Sequence, residues 1–357
     1  MTAPAFDDAT FRADLQGVID TFLAAQAERL APLGDDAAAL LAEARTALRG
    51  GKRLRAAFCW WGYSAIAEPA ASDRAALLRA CAALEFLQAS ALVHDDLMDA
   101  SDTRRGRPAT HKAFEASHQA DGWTGDPVQY GAAAAILLGD LLLTWADELL
   151  RRCGLEWERV RAALDLFDLC RSEVVAGQFL DVSVQARAKA DVATAMTVLR
   201  YKSAKYSVER PLHIGAALAG ASAEQISALT GYGLPLGEAF QLRDDQLGVF
   251  GDPEVTGKPA GDDLVEGKRT VLVAMTLDAA APADAELLDR SLGRDLDVTE
   301  VEQLRALIRN SGAEQQVEEL IDELTAQSLA ALADPGLRRE ATPGLKAMAE
   351  AATRRVV

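Results

Sequence analysis

Cys81-Ala-Ala-Leu84-Glu-Phe-Leu87-Gln88-Ala-Ser90-Ala91-Leu-Val-His94-Asp95-Asp96-Leu-Met98-Asp99-Ala-Ser-Asp-Thr-Arg104-Arg105-Gly-Arg107-Pro108 is the most informative stretch of the 357 residues. Leu84, Leu87, Ala91 and Met98, with Phe86 and Val93 beside them, recur at helical spacing and give one broad apolar face from Cys81 to Asp99. If that helix continues, Asp95 and Asp99 lie one turn apart on the same face. Two carboxylates so placed repel, and at a C-terminal helix end the dipole disfavours them further. The arrangement therefore points to a bound cation. Oxygen ligands without nearby His or Cys partners select Mg²⁺ or Mn²⁺ over Zn²⁺, and Mg²⁺ held by few carboxylates completes its shell with water and phosphate. His94 is offset by about 100° from Asp95 and reads as structural.

A second acidic cluster, Gln241-Leu-Arg-Asp244-Asp245-Gln-Leu-Gly248, is read as closing another apolar stretch, Tyr232 to Leu242, and entering a loop with Lys258, Lys268 and Arg269. Two such helix ends facing each other would make a metal-bridged diphosphate site. A third basic group, Gly50-Gly51-Lys52-Arg53-Leu54-Arg55, follows a helix stop and could hold a second anion by direct charge-assisted hydrogen bonds. Alone, an Asp-Asp pair is usually a solvated cap, and Arg104-Arg105 a surface pair. Their occurrence together in helical context carries the reading.

The rest of the chain is of one texture. Ala, Leu, Glu and Arg favour helix throughout. Helical patterns run over 8–31, 35–49, 54–67, 131–152, 157–184, 191–219, 222–248, 267–279, 298–308, 313–332 and 343–355, and 279–297 reads as a surface excursion. Ser72-Asp73 reads as a helix start. No linker divides the chain, so one domain over 1–357 is expected. Half the residues are hydrophobic and the net charge is −17, which excludes disorder and argues against unaided nucleic-acid binding. No uninterrupted apolar run is long enough for a transmembrane segment, and residues 1–8 lack the pattern of a secretory signal. Four cysteines without metal-type spacing suggest a reducing, cytoplasmic compartment.

These motifs resemble the trans-isoprenyl diphosphate synthases, the polyprenyl synthetase family, over nearly the whole chain. The resemblance implies an all-α helical bundle around a deep central cavity, of the isoprenoid synthase type and usually homodimeric. It implies that Asp95 and Asp99, with Asp96 supporting, bind Mg²⁺ on an allylic diphosphate, and that Asp244 holds a further ion from the opposite side, three ions in all. Arg104, Lys202 and Lys258 would contact that diphosphate, and Lys52, Arg55, Gln88 and Arg105 would bind isopentenyl diphosphate. Lys202-Ser203 matches the family's Lys-Thr/Ser pair. Gln178 and Asp181 match a cavity-lining helix, Gln241 precedes the second motif, and Asp263 and Lys268 fall in its closing segment. One departure stands out: the third Asp usual in the second motif is Gly248 here.

The implied reaction is ionisation, condensation and elimination in a cavity that excludes water. Farnesyl-forming relatives often carry aromatics four and five residues before the first Asp, where this chain has Ser90 and Ala91. That points to geranylgeranyl diphosphate, with farnesyl or longer products as alternatives and a deeper stop among Leu84, Leu87 and Leu141 to Trp145. A class I terpene cyclase and a non-catalytic partner subunit are the competing readings.

Overall fold

The computed structural model describes residues 8–189, 191–251 and 261–354. The described residues are helical apart from short connections and one two-stranded ribbon. The helices are α1 (Asp8–Leu30), α2 (Asp35–Ala47), α3 (Leu54–Ser64), α4 (Arg74–Met98), α5 (Thr110–Ala120), α6 (Pro127–Arg151) and α7 (Trp157–Arg187). Then come α8 (Val192–Val198), a π-helical stretch (Leu199–Glu209), α9 (Arg210–Leu218) and α10 (Ala223–Phe250). The remainder are α11 (Asp262–Val265), α12 (Val271–Ala279), α13 (Pro282–Ser291), α14 (Val298–Ser311), α15 (Ala313–Ala331) and α16 (Thr342–Thr353).

Local chemistry sets the helix starts. Ser222 and Gln225 form a capping box ahead of α10, and Asp297 with Glu300 does the same for α14. Asp126 caps α6 by accepting from Val128 N, with Pro127 in the first turn. Asp73 precedes α4, but its side chain makes no cap bond there. In α1, Phe11, Leu15, Ile19 and Leu23 form the buried stripe that a four-residue spacing dictates.

Two apolar clusters form the interior. The larger joins α1, α3, α4, α6, α7 and α9, and the smaller lies around α12, α14 and α15, with α10 running through both. Helix α4 is long and apolar enough to cross a membrane, but 78% of that window is buried in the bundle against α3 and α6.

Residues 282–291, within the stretch read as a surface excursion, do lie at the surface but as a helix, with Leu288 and Ser291 buried and Pro282 in the first turn. Helix α5 falls between two runs of turn residues, and its buried side chains are Thr110, His111, Phe114 and His118, so its apolar signal is thin. Trp60, Trp61 and Trp145 are buried, and Trp157 is exposed at the start of α7.

Candidate active site

Asp95 lies in the last turn of α4, and Asp99 caps its end, with its amide donating to Asp95 O. Asp96 is buried, and its Oδ1 accepts from Arg104 Nε at 2.8 Å. Arg104 is presented by the ribbon Thr103–Arg104/Arg107–Pro108. Its turn residues Arg105 and Gly106 both have positive φ, the conformation a two-residue hairpin favours. Burial, then the neighbouring Asp95, pushes the Asp99 carboxyl up to about 6. Burial also acts to raise Asp95, but Lys202, Lys268 and Arg104, with a hydrogen bond from Gln178 Nε2 at 2.9 Å, outweigh it and hold that carboxyl low.

Across the cavity stand Asp244 and Asp245 on α10. They do not end their helix, as the sequence suggested: α10 continues to Phe250 through Gly248. A Cβ at Gly248 would lie 2.0 Å from Asp263 Oδ2, so the bare glycine is what lets the Asp263 carboxylate pack against the helix. Burial, then Asp263, raises Asp245 well above the usual carboxylate range, and Gln241 Nε2 donates to its Oδ1 at 2.7 Å. Lys268 spans the two sides. Its Nζ lies 3.7 Å from Asp99 Oδ2 and 3.4 Å from Asp263 Oδ1, and it pairs closely with Glu266. Burial alone would lower this ammonium, but Asp263, Glu266 and Asp99 together raise it well above the ordinary lysine value.

Lys202 comes from the π-helical stretch, held against α7 by close backbone approach: a Cβ at Gly177 would meet Lys202 N at 2.4 Å. Its Nζ lies 2.6 Å from Asp181 Oδ2 and 3.6 Å from Asp95 Oδ1. Ser203 lines the same space.

The basic loop before α3 forms a separate wall. Lys52, Arg55, Gln88 and Arg105 all line the cavity. Arg55 donates to Ser207 Oγ at 2.6 Å and stacks 4.3 Å from the Tyr206 ring centroid, while its buried Nε has no hydrogen-bond partner among the described residues. Gln88 accepts from the Tyr206 hydroxyl, and Arg105 donates to Arg49 O at 2.9 Å. Arg53 was not singled out from sequence. It is buried, left-handed at φ 55°, and tied to Glu85 at 2.9 Å, to Gln16 at 2.7 Å and to Leu48 O. Glu85 also accepts from Ala56 N, so this pair fixes the junction between the loop carrying Lys52 and the first turn of α3 carrying Arg55. The doubled charge in Lys52-Arg53 was the available signal, but its inward turn depends on the αL backbone. Glu266 was likewise missed, since one more acid in an acidic chain carries no mark. Lys258 lies outside the described residues.

The cavity has a volume of about 1340 Å³. Its polar end holds the carboxylates and cations. Its deeper part runs past Ser90, Ala91 and Leu87 of α4, Leu143 of α6, and Val174 of α7. Of the proposed deeper stops, Leu87 and Leu143 reach this lining, whereas Leu84, Leu141 and Trp145 do not. His94 is structural in its contacts: Nε2 lies 3.3 Å from Ile136 O, and its ring fills the space above Gly139, where a Cβ would come within 2.2 Å.

Among the described residues no group of three or more His, Cys, Asp or Glu side chains converges tightly enough to hold a metal by itself. The acidic groups instead come as Asp95 with Asp99, and Asp244 opposite. A cation held by one or two carboxylates must take its remaining ligands from water and a bound anion. This donor set fits Mg²⁺ with a diphosphate.

Facing acidic turns with lysines between them, above a deep apolar pocket, define an all-helical enzyme for a diphosphate head group carrying a hydrocarbon tail. The Polyprenyl synthetase family profile matches residues 38–308, and the chain belongs to that family, the trans-isoprenyl diphosphate synthases. It is 36% identical to a geranylgeranyl diphosphate synthase of Methanosarcina mazei over 66% of either chain, just under two thirds. It is 32% identical to a short chain isoprenyl diphosphate synthase of Methanothermobacter thermautotrophicus over 82% of this chain and 87% of that one. Among solved structures, a geranylgeranyl pyrophosphate synthase from Corynebacterium glutamicum, complexed with isoprenyl diphosphate and magnesium, superposes with a TM-score of 0.95. It is 41% identical, over 98% of this chain and all of that one.

Proposed function

We propose that this chain is a Mg²⁺-dependent prenyltransferase that joins isopentenyl diphosphate head-to-tail to an allylic diphosphate and releases geranylgeranyl diphosphate. The observation that carries this reading is that Asp95 and Asp244 line one polar chamber, with Asp99 reached through Lys268, and that the apolar extension of the chamber passes Ser90 and Ala91 without an aromatic there. The three relatives named above, two of them described as geranylgeranyl-forming, support it.

Asp95, Asp99 and Asp244 would hold the Mg²⁺ ions, three per site, whose charge stabilises the departing diphosphate. Lys202, Arg104 and Lys258 bind that diphosphate directly. Asp96 keeps Arg104 in place through their buried ion pair. Asp181 does the same for Lys202. Lys52, Arg55, Gln88 and Arg105 hold isopentenyl diphosphate without metal, through charge-assisted hydrogen bonds from side chains that line the cavity. Ser203 and Gln241 complete the polar wall, and Lys268 with Asp263 closes it. The C1–O bond of the allylic substrate breaks with its electron pair on the diphosphate. The alkene of isopentenyl diphosphate then bonds to C1, and a proton leaves to restore a double bond. The apolar walls exclude the water that would otherwise capture the cation.

The chain acts as a single domain, since α10 belongs to both apolar clusters. It acts as a homodimer. Leu137 on α6 is an exposed apolar side chain of the kind a second subunit covers, and the exposed Ile136, Val175 and Phe179 near it line the cavity. Its four buried, unpaired cysteines suit a reducing cytoplasm. The test is to incubate the protein with Mg²⁺, isopentenyl diphosphate and each of dimethylallyl, geranyl and farnesyl diphosphate, and to size the products. Elongation to a linear C20 diphosphate is expected. Cyclised hydrocarbon formed without consuming isopentenyl diphosphate would overturn the reading.

A further inference from the structure

We infer that the floor of the elongation cavity is an ion-paired strut, Arg171–Asp147, joining α7 to α6 at the level of Leu143 and Leu87, and that this layer sets product length. The inference rests on the prenyl-elongating reading above.

The helices themselves give the depth scale. Gln178 donates to Asp95, so it marks the level of the first acidic motif on α7. Arg171 lies seven residues earlier on the same helix, about 10.5 Å deeper at 1.5 Å per residue. On α4, Leu87 lies eight residues before Asp95, about 12 Å deeper. Ser90 and Ala91 lie only about 6–7.5 Å below Asp95. The two layers thus differ by roughly 4–5 Å, close to the length one five-carbon unit adds along an extended chain of ~1.5 Å bonds. A chamber that passes the upper layer and stops at the lower one accepts one more unit than a chamber closed at 90 and 91.

Several contacts make Arg171 a fixed stop. Its NH1 lies 3.3 Å from Asp147 Oδ1 on α6, its NH2 pairs closely with Asp168, and its guanidinium stacks 4.6 Å from the Phe167 ring centroid. Asp147 is held from its other oxygen by Arg151 at 2.7 Å. Arg171 and Leu143 both line the cavity, so a growing tail meets the strut from above. A hydrocarbon end has no interaction to offer in exchange for the ion pairs it would have to open. The floor is therefore set by charge and packing together, without the bulky aromatic that a search four and five residues before Asp95 looks for.

The test is product length with geranyl diphosphate as primer, so that C15 and C20 products are both readable. Arg171→Ala should move the dominant product up by at least one C5 unit. Leu143→Phe should move it down by one, with thermal melting run on both to establish folding. Unchanged C20 product from folded Arg171→Ala overturns the inference. If Arg171→Ala does not fold, Leu143→Phe decides, and unchanged C20 product from it overturns the inference equally. Wild-type protein that elongates no primer refutes the functional reading and the floor with it. Wild-type C20 product with unresponsive variants refutes the floor alone.

Discussion

Replacing Gly248 by alanine adds one methyl group at a point the structure has already filled. The new Cβ would stand 2.0 Å from Asp263 Oδ2 and 2.4 Å from its Cγ. In an unobstructed helix interior the change would stabilise by about 0.5–1 kcal/mol through helix propensity. Here Asp263 must move, and overpacking of this kind costs about 1–3 kcal/mol. Moving it also draws a carboxylate away from Lys268, 3.4 Å distant. The net expectation is a loss of about 1–2 kcal/mol, read as a lowered thermal midpoint in chelator-treated protein. Gly248→Asp, which restores the carboxylate usual for the family, should likewise lower Mg²⁺-dependent turnover. The decisive control is Asp263→Ala. In that background Gly248→Ala should become neutral or stabilising, a coupling of at least about 1.5 kcal/mol between the sites. A Gly248→Ala protein more stable than wild type, or a coupling below about 0.5 kcal/mol, would refute the reasoning.

Further expectations follow from the same geometry. Ser90→Phe and Ala91→Phe should shorten the product by a five-carbon unit in product sizing. Glu85→Ala strands the buried Arg53 guanidinium and should cost about 3–5 kcal/mol. It should also raise KM for isopentenyl diphosphate more than KM for the allylic substrate, since the loop–α3 junction it anchors carries Lys52 and Arg55. Asp99 keeps its proton up to about pH 6, so it becomes a cation ligand only as pH rises through that value. The Mg²⁺ concentration for half-maximal activity should therefore rise about tenfold per pH unit below 6, against a flat dependence from 7 to 8.

Much of the site was legible because its chemistry follows helical spacing. Asp95 and Asp99 share a face by a four-residue step, and the structure places them so. Asp244 and Asp245 of the second cluster line the cavity, but the helix does not end there as its sequence suggested. Gly248 reads as a helix end, yet it is the space for Asp263, and nothing local to 241–252 announces a side chain arriving from residue 263. Arg53 reads as one more surface cation in a basic loop. Its inward turn comes from a left-handed backbone and partners 32 and 37 residues away in sequence. The Gln178–Asp95 bond and the Arg171–Asp147 strut depend on how α7 packs against α4 and α6, which no periodicity within α7 encodes. Helix α5 was obscured because histidines supply part of its buried face.

The central claim is that one chamber holds both diphosphates and elongates the tail to C20. The most direct measurement is the chain length of the product formed by purified wild-type protein from farnesyl diphosphate and isopentenyl diphosphate, with Mg²⁺ and with chelator. The account predicts linear geranylgeranyl diphosphate in the first case and no product in the second. Turnover undiminished by chelator, or a cyclic product with isopentenyl diphosphate untouched, would contradict it.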